Sequence, residues 1–134
     1  MERIYKLIEC DDTVHYYLAN SVFAVLKNFF DTYGEDNTSY KIKTITLFHS
    51  CAGKEIVEDK HKYLLKLTYS TDDRHVSDIT YYFVGYPDNI FRKYSEVTYD
   101  NHKYVVETME IISKSVNIAK DPEDEETFIE IKND

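Results

Sequence analysis

Three stretches of this chain repeat with a period of two, and they limit what it can become. Residues 40–48 (YKIKTITLF) put Tyr40, Ile42, Thr44, Thr46 and Phe48 on one side, with Ile45 and Leu47 on the other. Residues 61–70 (HKYLLKLTYS) and 79–85 (ITYYFVG) follow the same rhythm, the last being apolar on both faces as an interior strand would be. β-Branched and aromatic residues favour extended backbone at all three. Turn-forming residues separate the runs, so an antiparallel sheet is predicted. Three Gly and two Pro in 134 residues leave little material for long irregular loops or repeat architectures. A chain this long buries roughly 65–70% of its unfolded surface, enough for a core without disulfide or metal staples.

The sheet needs a partner layer. The stretch VHYYLANSVFAVLKNFFDTYG spaces Val14, Leu18, Val22, Val25, Phe29 and Tyr33 as one helical stripe, widened by Leu26 and Phe30. Asp11, Asp12 and Thr13 offer N-cap oxygens, and Gly34 stands where a left-handed C′ residue ends a helix. A short strand over residues 3–10 precedes it. After Gly85, Tyr86-Pro87-Asp88-Asn89 opens a helical turn or loop through Tyr94. Residues 96–112 fit two structures. Val105, Met109, Ile112 and Val116 sit at helical spacing, yet VTYDNHKYVVE is also a hairpin with Asp100-Asn101 at its turn. We read a second helix here. Residues 115–119 and 127–131 form a terminal hairpin across an acidic loop. The predicted class is α+β: an N-terminal strand, a long amphipathic helix on an antiparallel sheet, a second helix and a C-terminal β-hairpin, in a single globular domain over residues 1–134.

Charge directs the functional reading. The net charge is −9, so the chain is repelled by nucleic acid and anionic membrane and steered toward basic partners. Asp121, Glu123, Asp124, Glu125 and Glu126 crowd one short segment, and Asp72, Asp73 and Asp78 form a second patch. Strings of carboxylates occupy phosphate-binding grooves because they offer similar charge at similar spacing. Phe, Tyr, Met, Ile, Asn and Lys outnumber Gly, Ala, Arg and Pro by 54 to 12, the mark of an AT-rich source such as a low-GC bacterium, its phage or a large DNA virus. Such sources encode small acidic inhibitors of host defence. The expected function is thus a non-catalytic nucleic-acid mimic that binds a basic surface of a nucleic-acid-handling or defence protein. A solvated face is the plainer account of the same charge.

Motifs for chemistry are missing. There is no phosphate loop, dinucleotide fingerprint, nucleophile elbow or His-Glu-x-x-His helix. His49-Ser50-Cys51, with His61 and His75, is the nearest approach to a reactive or zinc-binding group, but its spacing fits no zinc module. The carboxylate groups Glu9/Asp11/Asp12 and Glu55/Glu58/Asp59 lie in polar turns. No catalytic residue, cofactor or metal is expected. Cys10 and Cys51 are the only cysteines, no apolar signal core follows Met1, and a cytoplasmic protein with free thiols is the default. Thirteen tyrosines and no tryptophan follow from codon bias or from an interface.

One family resemblance bears on this. Leu18-Ala19-Asn20-Ser21-Val22-Phe23-Ala24-Val25 resembles the helix pattern of the cystatins, inhibitors of papain-like cysteine proteases. Ser50-Cys51-Ala52-Gly53 falls where that family has its first inhibitory hairpin, and Tyr86-Pro87 where it has the second. The resemblance implies a helix-on-sheet scaffold and protease inhibition. His49 and Cys51 depart from the first hairpin's Gln and Val, the second lacks its Trp, and residues beyond Glu96 have no counterpart. A self-associating structural protein, pairing through the terminal hairpin, is a third expectation, and a helix–sheet pocket for a small ligand a fourth.

Overall fold

The computed structural model describes residues 2–34, 41–58 and 62–119. It is α+β, and the chain forms two compact units. One holds residues 1–48 with 118–134, the other His49–Asn117. The elements in chain order are β1 (Arg3–Glu9), β2 (Val14–Ala19), α1 (Val22–Tyr33), β3 (Ile42–Ser50), β4 (Gly53–Glu55), β5 (Tyr63–Ser70), β6 (Ile79–Gly85), α2 (Pro87–Tyr94), β7 (Glu96–Tyr99), β8 (His102–Ser113) and β9 (Asn117–Ile118).

The first unit is built on a sheet of order β3-β1-β2-β9. β1 and β2 form an antiparallel hairpin that sets Tyr5 opposite Tyr17 and Leu7 opposite His15. This corrects the predicted helix, whose first third is strand. Of the three N-cap candidates Asp11 does accept an amide, but in a hairpin turn. Asp12 adopts φ 72°, and the Thr13 amide donates to Asp11 Oδ1 at 3.0 Å. Hydrogen bonds from the Thr13 hydroxyl and amide hold the Asp11 carboxyl below its ordinary range. The helix starts later, where the Ser21 hydroxyl accepts the Ala24 amide at 3.1 Å. It ends at Gly34, φ 86°, whose amide donates to the Phe30 carbonyl. α1 lays Ala24, Val25 and Phe29 on Tyr5, Leu7, Tyr17 and Ala19, with Phe30, Ile42 and Ile45 at the margin. β9 joins through the Ala119 amide, which donates to the Leu18 carbonyl at 2.9 Å. The rest of the predicted terminal hairpin lies outside the described residues.

The second unit carries a sheet of order β4-β6-β5-β8-β7. All neighbours are antiparallel except β4, which runs parallel to β6. Leu65, Leu67 and Tyr69 of β5, Phe83 of β6 and Tyr104 of β8 make one apolar face, and α2 closes it with Ile90. Pro87 suits the first turn of α2, where its missing N–H costs nothing. The Tyr69 hydroxyl donates to the Tyr94 carbonyl at 2.6 Å, anchoring the end of α2 to the strand. Gly85 is required beside β4, since a Cβ there would lie 2.5 Å from the Glu55 carbonyl oxygen.

Residues 96–112 are the β7–β8 hairpin, not a second helix. Asp100 and Asn101 both have positive φ, 52° and 65°, the two-residue turn whose twist matches the flanking strands. Asn tolerates that region and β-branched residues do not. Asn101→Val is therefore expected to cost about 1–2 kcal/mol, while Asn101→Gly keeps or raises stability. Urea unfolding of the two variants checks the pair, and equal midpoints would reject this account of the turn.

Candidate acidic interaction site

The second unit gathers carboxylates at one end of its sheet. β5 and β8 are antiparallel with Ser70 opposite Val105. The β5–β6 connection and the β7–β8 turn are thereby neighbours. Two contacts fasten them: the Thr71 hydroxyl donates to the Lys103 carbonyl at 2.9 Å, and His102 Nε2 lies 3.3 Å from Asp73 Oδ2. Asp73 also shapes its own loop, its Oδ1 accepting the His75 amide at 2.8 Å. Asp72, Asp78 and Asp100 are exposed, Asp73 half-buried.

Tyr104 registers the convergence. Its side chain is fully buried beneath this end of the sheet. Burial raises its phenol above the ordinary tyrosine value, and the charge of Asp100, then Tyr99, Asp73 and Asp78, pushes the same way. The two fastened loops bring Asp72, Asp73, Asp78 and Asp100 to one end of the sheet. Asp72, Asp73 and Asp78 were legible in the sequence as a patch. Asp100 joins them only because residues 96–112 are a hairpin, so the helical reading hid it. Tyr99, exposed beside Asp100, belongs to the same end. Arg74 is the cation of this loop, so the carboxylates keep their excess. Asp121, Glu123, Asp124, Glu125 and Glu126 lie outside the described residues.

Glu9, Asp12 and Glu55 are tied down locally. Glu9 Oε2 lies 2.6 Å from His15 Nε2 in the first hairpin, and Asp12 pairs with Lys43 at 3.3 Å. Glu55 pairs with Lys93 at 2.8 Å, and that hydrogen bond raises the Lys93 ammonium above its ordinary value. The pair borders an open depression with Asn89 and Arg92.

His49 and Cys51 take separate contacts. The His49 ring packs on Tyr82 with centroids 4.4 Å apart, and its Nδ1 lies 3.0 Å from the Ser50 carbonyl oxygen. The Cys51 thiol donates to the Gly53 carbonyl at 3.2 Å. Neither Cys10 nor Cys51 is in a disulfide. Among the described residues no three His, Cys, Asp or Glu side chains are placed to hold a metal ion, and His61 is outside them.

The segments matched to inhibitory hairpins are placed as follows. Ser50 ends β3, the Ala52 amide donates to the Tyr82 carbonyl at 2.8 Å, and Gly53 enters β4 opposite Phe83. A Cβ on Gly53 would stand 2.4 Å from the Tyr94 hydroxyl. Tyr86 and Pro87 open α2 just beyond Gly85, which faces Glu55. Since β4 and β6 are parallel, the two segments sit at opposite ends of β4. Leu18 and Ala19 of the helix-like pattern are the end of β2.

No helix of the described residues is long and apolar enough to cross a membrane. No protein-family model, curated protein or solved structure matches the chain.

Proposed function

We propose that the protein is a non-catalytic acidic binding protein that engages a basic surface, that of a nucleic-acid-handling or defence protein, by imitating phosphate charge. The observation that carries this reading is the fastening of the β5–β6 connection, which holds Asp72, Asp73 and Asp78, to the β7–β8 turn, which holds Asp100, through the Thr71–Lys103 and His102–Asp73 contacts. Scattered carboxylates serve solubility, whereas carboxylates fixed on adjoining turns present a charge pattern that a groove can recognise. The hydrogen bonds that fasten the two loops reduce the entropy lost on binding. With a net charge of −9, long-range attraction to a cationic partner adds to the local pattern. An AT-rich phage or viral source, acting in the cytosol of a host, fits this role.

The test is a triple variant, Asp72→Lys, Asp78→Lys and Asp100→Asn. It spares Asp73, which holds the loop, and keeps a residue that tolerates positive φ at position 100. The purified protein is used as bait in nuclease-treated lysate of a candidate host, at low and high salt. The parent is expected to retain nucleic-acid-binding proteins that salt releases, because exposed charge contacts are screened. The triple variant is expected to lose at least ten-fold of that capture while its unfolding midpoint stays near the parent's. Equal capture by parent and variant would overturn the assignment of the site.

A further inference from the structure

The β8 strand is much longer than the strand that covers it. β7 pairs only with His102–Val105, and one further bond, the Val106 amide to the Ser95 carbonyl at 3.0 Å, ends the ladder. β8 continues to Ser113, held on its inner side by β5 as far as Leu64. From residue 107 onward its outer side meets no strand among the described residues. Every second N–H and C=O there points away from β5, the arrangement that accepts an added strand.

Three features make this edge a receptor. First, its apolar side chains are uncovered. Met109 and Ile111 stand opposite Leu67 and Leu65, on the face where those leucines form the core, yet they are 39% and 46% exposed. An added strand would extend that face and cover both. Second, Glu107 and Glu110 are exposed and have no hydrogen bond or ion pair among the described residues, unlike Glu9, Glu55 and Glu96, each of which is paired. Third, two of the usual guards, Pro and Lys, are missing from this edge, and the register shifts near Thr68 and Leu64 leave residues 108–111 in regular pairing between them. No Pro or Lys interrupts 106–113, whereas β3, the long edge of the other sheet, bears Lys43 and no carboxylate.

These features also choose the occupant. A second copy would bring another −9 and set a second Glu107 and Glu110 alongside the first, with Lys66, opposite Glu110 on β5, as the one cation in the register facing this stretch. A cationic strand would neutralise both. We infer that the outer edge of β8, residues 106–113, receives an extended segment of a partner protein in which Lys or Arg alternates with apolar residues, added as a strand. This rests on the proposed basic partner for its sign and supplies a second contact beside the carboxylate end of the same sheet. Main-chain bonds would give affinity, while Met109, Ile111 and the two glutamates would give side-chain preference.

The probe is a synthetic octapeptide alternating Val and Lys, labelled for anisotropy. Its control has the same charge, with Pro at two central positions. The full-length protein is expected to bind the first peptide at least ten-fold more tightly than the second and to gain amide-exchange protection over residues 106–113. Glu107→Lys with Glu110→Lys, and separately Met109→Lys, should each weaken binding ten-fold or more. The carboxylate-end triple variant should change it less than three-fold. Equal binding of both peptides, binding as tight in the β8 variants as in the parent, or absence of protection at 106–113 would overturn the strand site. Loss of peptide binding in the triple variant alone would also overturn it while leaving the acidic reading intact. Salt-sensitive lysate capture lost only in the triple variant tests that reading separately.

Discussion

Phe29→Ala is expected to lower stability by about 3–5 kcal/mol, the usual cost of removing a large buried aromatic ring. Phe29 is fully buried on the inner face of α1. Its ring lies 4.7 Å from Tyr33 and 5.7 Å, edge-on, from His15. It therefore joins the helix to the β1–β2 hairpin as well as filling volume. Two losses add in the variant: the apolar area no longer removed from water, and the contacts its neighbours lose around the cavity. Rigid strands line the space, so collapse around it is limited. Phe29→Leu keeps most of the volume and should cost about 1–1.5 kcal/mol. Guanidinium unfolding followed by circular dichroism gives both numbers, with the slope held constant as a check that the denatured state is unchanged. A loss below about 1 kcal/mol for the alanine variant would show that Phe29 is not a principal contact between helix and hairpin.

The α+β class and several elements were legible because their local signals and their tertiary roles agree. In β5 and β6, alternating side chains are those that pack, as with Leu65, Leu67 and Phe83. Where the structure departs from the sequence reading, one set of residues satisfied two periods. Val14 and Leu18 continue the helical stripe of Val22, Val25 and Phe29, but Val14–Ala19 also alternates. Pairing with β1 gives that segment a full ladder and buries Tyr17, Leu18 and Ala19 together. Such a partner is invisible in a local window. Asp11 and Asp12 misled for a related reason, since a carboxylate accepting an amide two or three residues on serves a hairpin turn as well as a helix cap. In β8, Val105, Met109 and Ile112 mimic a helix because register shifts break the alternation near Thr68 and again near Leu64. The Asp100-Asn101 turn was the stronger signal, being a two-residue sequence that accepts positive φ at both positions. The candidate site was half legible for that reason: its loop carboxylates stand in the sequence, while Asp100 and the open length of β8 follow from the hairpin.

Stability should also fall steeply between pH 10 and 12, through the buried tyrosines. Tyr69 is fully enclosed, with its hydroxyl donating to the Tyr94 carbonyl. Burial, with smaller contributions from Tyr81 and Tyr94, pushes its phenol from 10.0 up to about 12. Ionisation would remove the donor and leave an anion facing a carbonyl oxygen. Tyr17 is raised in the same direction by burial, then by Tyr33 and Glu9. The unfolded chain gives up these protons near pH 10, and the folded protein retains them. Over that interval the unfolded state binds fewer protons, so stability decreases as pH rises. The contribution is whole below pH 10 and is lost as pH approaches 12. The rise on Tyr69 alone corresponds to about 3 kcal/mol. Lys93, whose ammonium is also raised, adds with the same sign, so the parent's slope is a sum. Tyr69→Phe separates its share. That variant should be about 1 kcal/mol less stable at pH 8, because the Tyr94 carbonyl loses its donor. It should then lose less than the parent on going to pH 12, so that the two curves converge or cross. Urea unfolding at a series of pH values, with tyrosinate absorbance recorded on the native protein, measures both quantities. Parallel curves for parent and variant would show that Tyr69 ionises in the folded protein as readily as in the unfolded chain, and the enclosed hydroxyl would then have no part in the alkaline loss.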